Sequence, residues 1–375
     1  MRVLVTGANG FIGLNLQLRL REREDVQVVC YTRDHHVGQL TELLDGVSFV
    51  FHLAGVNRPQ DPKEFKAGNT DFTRDLCQAV AMAARSKGRA IPILYTSSTQ
   101  ALQDNAYGQS KREAEELLAA TGKDPLVPVY VFRLPNVFGK WGRPNYNSAV
   151  ATFCHNIARD LPIQVKDPQA ALTLVYIDDV IERFVQLMDG ASPISGADGF
   201  STVQPEYSTT LGEIAVLIRA FHDSRDSLVT ERVGAGLTRA LYATYVSYLP
   251  VEAFAYDLPK YGDYRGVFVE MLKTPDCGQF SFFTALPGVT RGGHYHHSKT
   301  EKFLVIKGRA LFRFRHTQTG QRHELQTSGD KPQIVETVPG WTHDITNIGP
   351  EEMVVMLWAN EIFDRARPDT YDCPL

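Results

Sequence analysis

The sequence predicts an α/β protein in two parts: a doubly wound parallel sheet followed by a small all-β antiparallel barrel or sandwich. Three observations predict it. Through the first half, the β-branched runs RVLVTG, VQVVCYT, VSFVFHLAG, IPILYTSS and VPVYVFRLP alternate with stretches of helical spacing, the pattern of a parallel sheet with crossover helices. Around residue 250 that pattern stops, and RGVFVEMLK, QFSFFTALPG, EKFLVIKG, RALFRFRHT and EEMVVMLWAN follow as strands divided by turns. Finally, 375 residues are too many for one ordinary core, so two domains are expected.

The crossover stretches are FIGLNLQLRLRERE, NTDFTRDLCQAVAMAARSK and AYGQSKREAEELLAATG, the last stopped by Gly122. Each strand-helix-strand step implies a right-handed crossover. The boundary falls in LPVEAFAYDLP, residues 249 to 259, giving domains 1–248 and 249–375. There is no internal repeat or low-complexity segment. The net charge of -4 comes without a polybasic tail, so neither nucleic acid nor an anionic membrane surface is an expected partner. The N-terminus reads as a strand and turn rather than a leader, and no window reaches transmembrane length; a cytoplasmic enzyme is expected. Cys30, Cys77, Cys154, Cys277 and Cys373 lie far apart without a C-x-x-C pair, and are expected to be reduced packing residues.

The first chemical motif is TGANGFIG, at the end of the first strand. Gly7, Gly10 and Gly13 in this strand-turn-helix setting allow a pyrophosphate to approach the backbone at a helix N-terminus, in a Rossmann-type sheet. Their spacing is G-x-x-G-x-x-G rather than the commoner G-x-G-x-x-G. About twenty residues on, where an acid often holds the ribose 2′-hydroxyl, the chain reads CYTRD. Arg33 can pair with a 2′-phosphate through two parallel hydrogen bonds, so NADPH is preferred; the alternative is Asp34 on the ribose of NADH.

Tyr107 and Lys111 stand four apart in AYGQSKREAEE, on one face of a helix. A free phenol has a pKa of about 10, and a nearby ammonium favours its ionised form, which makes it a usable proton donor and acceptor. Ser98, ending IPILYTSS, can hydrogen-bond the carbonyl oxygen that Tyr107 protonates. Register favours Ser98 over Ser97. Asp178 and Asp179 in LVYIDDV, read as strand residues, point to opposite faces and form no shared-proton dyad.

These motifs, with FHLAG, RLPNVFG and LVYIDDV in that order, resemble the extended short-chain dehydrogenase/reductases that act on nucleotide sugars, over roughly the first 245 positions. The resemblance implies that His52, Leu53, Ala54 and Gly55 line the cofactor, that Asn69 supports the helix of Tyr107, and that Lys111 also touches the nicotinamide ribose. It places Arg133, Asn136 and Val137 near nicotinamide and substrate. In the loop GKWGRPNYNSAVATFCHNIARD it makes Arg143 and Asn147 candidate contacts to the sugar nucleotide. The chain departs from the family in GVSFVFHLAG, which lacks the usual acid before the strand.

The second half carries GVTRGGHYHHSKTEKFLVIKG. The spacing of Gly288, His294, His296, Glu301 and Gly308 resembles the first cupin motif. PGWTHDITN, with His343 and Asn347, resembles the second, although Pro339 directly precedes its glycine. On a strand His294 and His296 share a face, so both imidazoles can point into a barrel with Glu301 and His343. Three histidines and a carboxylate suit zinc, and also iron, manganese or nickel. Four protein ligands would close a zinc site, and whether the metal is catalytic or structural stays open. His297 alternates to the other face, where a surface position is expected.

A 4-keto sugar as substrate would give a reductase a use for a cupin. The ketone acidifies the C3 hydrogen, permitting inversion through an enediolate, and reduction destroys that acidity; epimerisation must come first. The two-domain order resembles the bifunctional capsular polysaccharide and O-antigen enzymes of the UDP-N-acetyl-L-fucosamine pathway. The resemblance implies C3 epimerisation of a UDP-linked 4-keto-6-deoxy-N-acetylhexosamine by a zinc cupin, then NADPH-dependent reduction at C4 to UDP-2-acetamido-2,6-dideoxy-L-talose, in a homodimer. It transfers Ser98, Tyr107 and Lys111 to reduction and His294, His296, Glu301 and His343 to metal. Alternatives are a single-activity NADPH reductase with a structural cupin, and a cofactor-bound scaffold without turnover.

Overall fold

The computed structural model describes residues 1–375 except 197, 260, 264–265, 269–270, 275–277, 362–363 and 365. Cys277 lies outside the described residues; Cys30, Cys77, Cys154 and Cys373 are free thiols, as the sequence suggests. Among the described residues no helix is long and apolar enough to cross a membrane. The chain divides into two units, Met1–Val137 with Thr173–Tyr207, and Phe138–Leu172 with Ser208–Leu375.

In the first unit, β1 (Arg2–Thr6), β2 (Gln27–Tyr31), β3 (Phe49–His52), β4 (Ile93–Ser98) and β5 (Val129–Leu134) form one parallel sheet in the order β2-β1-β3-β4-β5. Both faces are covered by helices, so the inner strands read as continuous apolar runs: Val3, Leu4 and Val5 are fully buried. One face packs on the helices Phe72–Lys87 and Ala106–Thr121 through Leu76, Val80, Ala114 and Leu118. The other carries α1 (Phe11–Arg21) and the helix Ile177–Met188, whose Phe184 meets Phe51 and Phe132. The chain order reverses between β1 and β3, and a doubly wound sheet opens a ligand crevice at that point beyond the carboxyl ends of its strands.

The second unit holds two five-stranded antiparallel sheets. One contains Gln279–Ala285, Met353–Ala359, Glu301–Lys307, Gln333–Glu336 and Ala255–Asp257; the other contains Arg322–Ser328, Arg309–His316, Trp341–Asn347, Thr290–Tyr295 and Tyr371–Asp372. Phe303 of the first meets Phe312 and His343 of the second, so the inward faces share one core, as in a cupin. The sequence changes character near 249, but packing groups 138–172 and 208–248 with the C-terminal strands.

The physical cause is a buried polar layer. The helix Leu211–Ser227 starts at a capping box, with Thr210 Oγ1 accepting from Glu213 N and Glu213 Oε2 accepting from Thr210 N. Its Arg225 reaches Glu336 at 3.3 Å, and Tyr242 of the helix Gly236–Ser247 donates to Glu336 Oε1 at 3.3 Å. Lys302, fully enclosed, pairs with the same carboxylate. Burial alone would lower the Lys302 pKa, but Glu336 outweighs it and holds the ammonium charged. Glu336→Gln leaves two cations facing a neutral amide. It is expected to destabilise the protein by about 3–5 kcal/mol in urea titrations; a loss under about 1 kcal/mol would contradict this reading.

Candidate functional sites

The glycine turn after β1 is shaped for close approach. Gly7 has φ +66° and sits so near β3 that a Cβ would lie 2.6 Å from Ala54 N; one on Gly13 would lie 2.3 Å from the Gly7 carbonyl oxygen. Gly10 caps α1, leaving the first N–H groups of that helix without a side-chain cap. Leu53, Ala54 and Gly55 follow β3, with Gly55 exposed beside the glycine turn's neighbour Ala54. His52 is different from the expectation. It is fully buried between Thr6 Oγ1 at 2.9 Å and Thr73 Oγ1 at 2.8 Å, and burial keeps it neutral, with its pKa pulled to about 3. It therefore braces the sheet instead of lining a ligand. Arg33 is exposed two residues beyond β2 and makes no ion pair among the described residues, whereas Asp34 accepts from Thr32 Oγ1 at 3.1 Å.

Asn105 caps the helix Ala106–Thr121, accepting from Gly108 N at 2.8 Å, and that helix carries Tyr107 and Lys111. Tyr107 is half-buried; the Lys111 ammonium lies 6.0 Å from its ring centroid and 4.9 Å from that of Tyr95. Lys111 Nζ donates to the Thr96 carbonyl at 3.1 Å and to Tyr95 Oη at 3.2 Å, tying the helix to β4 two residues before Ser98. Burial lowers the Lys111 pKa to about 8. Asn69 bonds Val56 N at 2.7 Å and Ser110 Oγ at 3.0 Å, joining the segment after β3 to the same helix. Ser97 is buried with its hydroxyl on Glu115, while Ser98 is partly open and accepts from Gln100 N at 3.1 Å. Arg133 is also held by Glu115, at 3.1 and 2.7 Å, and stacks on Phe200 at 3.7 Å. Ser97 and Arg133 are thus engaged structurally, which leaves Ser98 as the serine with an open hydroxyl. Asn136 is exposed, donating to the Thr173 carbonyl at 3.2 Å. In the second unit, Arg143 lies over the Tyr146 ring at 5.1 Å and Asn147 is exposed.

In the facing sheets, His294 and His343 are register partners on adjacent strands, and Glu301 begins a strand of the opposite sheet. Donor atoms of His294, His296, Glu301 and His343 all lie within 4.8 Å of one another. His296 Nε2 is 3.1 Å from Glu301 Oε2, and His343 Nε2 is 3.6 Å from it. Burial pulls the His294 pKa to about 3, with His343 and His296 adding to the effect, so it presents a neutral ring. Burial would raise Glu301, but the facing imidazoles hold it well below the usual carboxylate range. Both ring nitrogens of His343 are buried without a hydrogen-bond partner. An unpaired buried imidazole is costly, and a cation among three nitrogens and one carboxylate oxygen would remove the cost; the residues fit a divalent transition metal. His297 is not one of the cluster's residues, and it is buried rather than superficial. Tyr371, from the C-terminal strand, covers its ring at 4.9 Å.

Residues 3–196 match the NAD dependent epimerase/dehydratase family, and residues 261–371 match the polysaccharide biosynthesis C-terminal domain. The chain belongs to the NAD dependent epimerase/dehydratase family. This epimerase/dehydratase chain is 63% identical over 373 residues to a UDP-2-acetamido-2,6-beta-L-arabino-hexul-4-ose reductase of Pseudomonas aeruginosa, covering 100% of this chain and 98% of that one. It is 41% identical to the capsular polysaccharide assembling protein CapF of Staphylococcus aureus, with a TM-score of 0.68 and full coverage of both chains. A UDP-glucuronic acid 4-epimerase of Bacillus cereus, 19% identical over 60% of this chain and 84% of its own, shares the fold of the first part with a TM-score of 0.51. The two-domain resemblance drawn from the sequence is therefore borne out along the whole length.

For an epimerase/dehydratase family enzyme, Asp178 and Asp179 are placed differently from the sequence reading. The strand ends at Tyr176, and both acids occupy the first turn of Ile177–Met188, where the helix N-terminus favours negative charge. The low Lys111 pKa has a direct consequence. The ammonium is present below about pH 8 and lost above it, and a reduction that draws on that charge would slow as pH rises through that value. At pH 7 the buried charge opposes folding, because the unfolded lysine holds its proton to higher pH. Lys111→Met should therefore cut reduction by roughly 10²–10³-fold without lowering Tm. A matched fall in Tm would make Lys111 a packing residue only.

Proposed function

We propose that this protein inverts C3 of a UDP-linked 4-keto-6-deoxy-N-acetylhexosamine in its cupin part and then reduces C4 with NADPH, giving UDP-2-acetamido-2,6-dideoxy-L-talose for UDP-N-acetyl-L-fucosamine synthesis. The observation that carries it is 63% identity, end to end, to a protein named UDP-2-acetamido-2,6-beta-L-arabino-hexul-4-ose reductase, in a chain that retains both side-chain sets.

In this reading Gly7, Gly10, Gly13, Leu53, Ala54 and Gly55 hold the cofactor, and Arg33 receives its 2′-phosphate. NADPH, when bound, supplies the hydride for C4. Tyr107 donates the proton to O4 and is reprotonated from water. Lys111 holds the phenol's proton within reach at neutral pH and contacts the ribose. Ser98 donates a hydrogen bond to the same oxygen, stabilising charge as it develops. Asn136, Arg143 and Asn147 are the proposed substrate contacts. In the cupin part, loss of the C3 proton forms an enediolate across C3 and C4, and return of a proton on the other face inverts C3. His294, His296, Glu301 and His343 would hold zinc, or another divalent transition metal, which would supply positive charge inside the barrel. The homodimeric and cytoplasmic state implied by the resemblance belongs to this reading.

Arg33→Ala should lower kcat/KM with NADPH by about 10-fold or more and leave NADH nearly unaffected; an unchanged preference would remove Arg33 from the cofactor site. The whole reading is tested by supplying the UDP-4-keto sugar with NADPH. NADPH oxidation with appearance of the C3-inverted, C4-reduced product supports it, and no oxidation on that substrate removes the reductase assignment.

A further inference from the structure

The metal cluster is completed by a stretch of chain that carries no motif. The short strand Tyr371–Asp372 pairs with the ligand strand Thr290–Tyr295, setting Asp372 opposite His294 and Tyr371 opposite Tyr295. Just before it, Asp369 adopts the left-handed conformation, φ +38°. Both polar functions of this one residue are directed at the cluster. Its backbone carbonyl lies 2.6 Å from His296 Nδ1. Its carboxylate accepts from the backbone N–H of His297 at 2.9 Å, Ser298 at 2.9 Å and Lys299 at 2.7 Å, and from the Ser298 hydroxyl at 3.0 Å.

Two consequences follow from the chemistry of these groups. A carbonyl can only accept, so His296 Nδ1 donates to it, and Nε2 is the nitrogen presented to the cluster, 3.1 Å from Glu301 Oε2. The second concerns the loop between ligands His296 and Glu301, which does not support itself. Each backbone N–H from 297 to 301 is held by a side chain: three by Asp369, that of Thr300 by Asn360 Oδ1 at 3.0 Å, and that of Glu301 by Thr337 Oγ1 at 3.0 Å. Arg239 steadies the arrangement from the helix Gly236–Ser247, donating to Ser298 Oγ and pairing with Glu361 at 2.6 Å.

We propose that Asp369 is a positioning residue of the metal site: its carbonyl selects Nε2 of His296 as the donor, and its carboxylate sets the loop that brings Glu301 opposite. The inference rests on the metal reading given above. Partners that orient a ligating histidine typically contribute 10–100-fold to metal affinity, and contact with the tail alone would not require both groups of one residue to meet the ligand and its loop.

The test is zinc affinity of the full-length protein, by competition with a chromogenic zinc chelator at fixed pH, together with the histidine-ring nitrogen spectrum of the zinc-loaded wild type. Asp369→Ala is expected to bind zinc about 10–100-fold more weakly. Asp369→Asn, whose amide oxygen can take the Oδ2 place and keep the contacts to Ser298 and Lys299 while tolerating the left-handed backbone, should bind zinc with an affinity between those of wild type and Asp369→Ala. In the zinc-loaded wild type His296 should keep its proton on Nδ1 and meet the metal through Nε2, a result that needs no variant to fold. Wild-type affinity in Asp369→Ala, or zinc bound through His296 Nδ1, would overturn the proposal while leaving the metal site standing. A wild-type protein that binds no zinc, cobalt or nickel would overturn both.

Discussion

Tyr107→Phe protein should oxidise NADPH on the UDP-4-keto sugar about 10³–10⁴-fold more slowly than wild type, with NADPH binding almost unchanged. The substitution removes one oxygen and keeps the ring that packs on Phe65 at 5.7 Å, so the helix Ala106–Thr121 has no reason to move. Lys111 keeps its bonds to Thr96 and Tyr95. What is lost is the proton that O4 must gain as hydride reaches C4, and a water without the phenol's fixed position is a poor substitute. Stopped-flow absorbance of NADPH reads the loss directly. A reduction of less than about tenfold would mean that another group donates the proton.

His343→Ala should lose tight metal binding, with affinity falling on the order of 100-fold or more, since a ligand contributes at least as much as the groups that orient it. His343 is the ring whose two nitrogens are otherwise orphaned in the core, and removing it also leaves Glu301 facing fewer nitrogens. Metal bound at 1,000 times its Kd stabilises the folded state by about 4 kcal/mol, whereas a 100-fold weaker variant at the same concentration keeps about 1.4 kcal/mol, so its metal-dependent rise in Tm should be at most about a third of the wild-type rise. Reduction of a substrate already inverted at C3 should persist, because no residue of the glycine turn or of the Tyr107 helix lies in the cluster. A His343→Ala protein with a wild-type metal content would remove His343 from the ligand set.

Both constellations were legible because each is written into short-range periodicity. Tyr107 and Lys111 are four apart on a helix, His294 and His296 are two apart across the end of the strand Thr290–Tyr295, and the glycines mark a strand-to-helix turn; each pattern survives a shift of an element boundary by a residue or two. What was not legible depends on distant pairing. His297 was read as superficial because its own strand says only that it faces away from the cluster; Tyr371, more than seventy positions later, is what buries it. Arg133 and Ser97 sit in the segments that a family pattern points to, yet Glu115 on the crossover helix holds both. The helices between 211 and 247 were not tied to the C-terminal strands because the tie is a buried charge, Glu336, that no hydrophobic pattern reveals. LVYIDDV continues as strand in its apolar pattern, and the acids that end it are equally a helix start, the choice made by the helix N-terminus.

The central claim is that one chain inverts C3 before it reduces C4. It is tested most directly by incubating Tyr107→Phe protein with the UDP-4-keto sugar in deuterated water and following C3 by NMR. The account predicts deuterium at C3 and growth of the inverted 4-keto sugar in the absence of reduction. A C3 proton that neither exchanges nor changes configuration would contradict it.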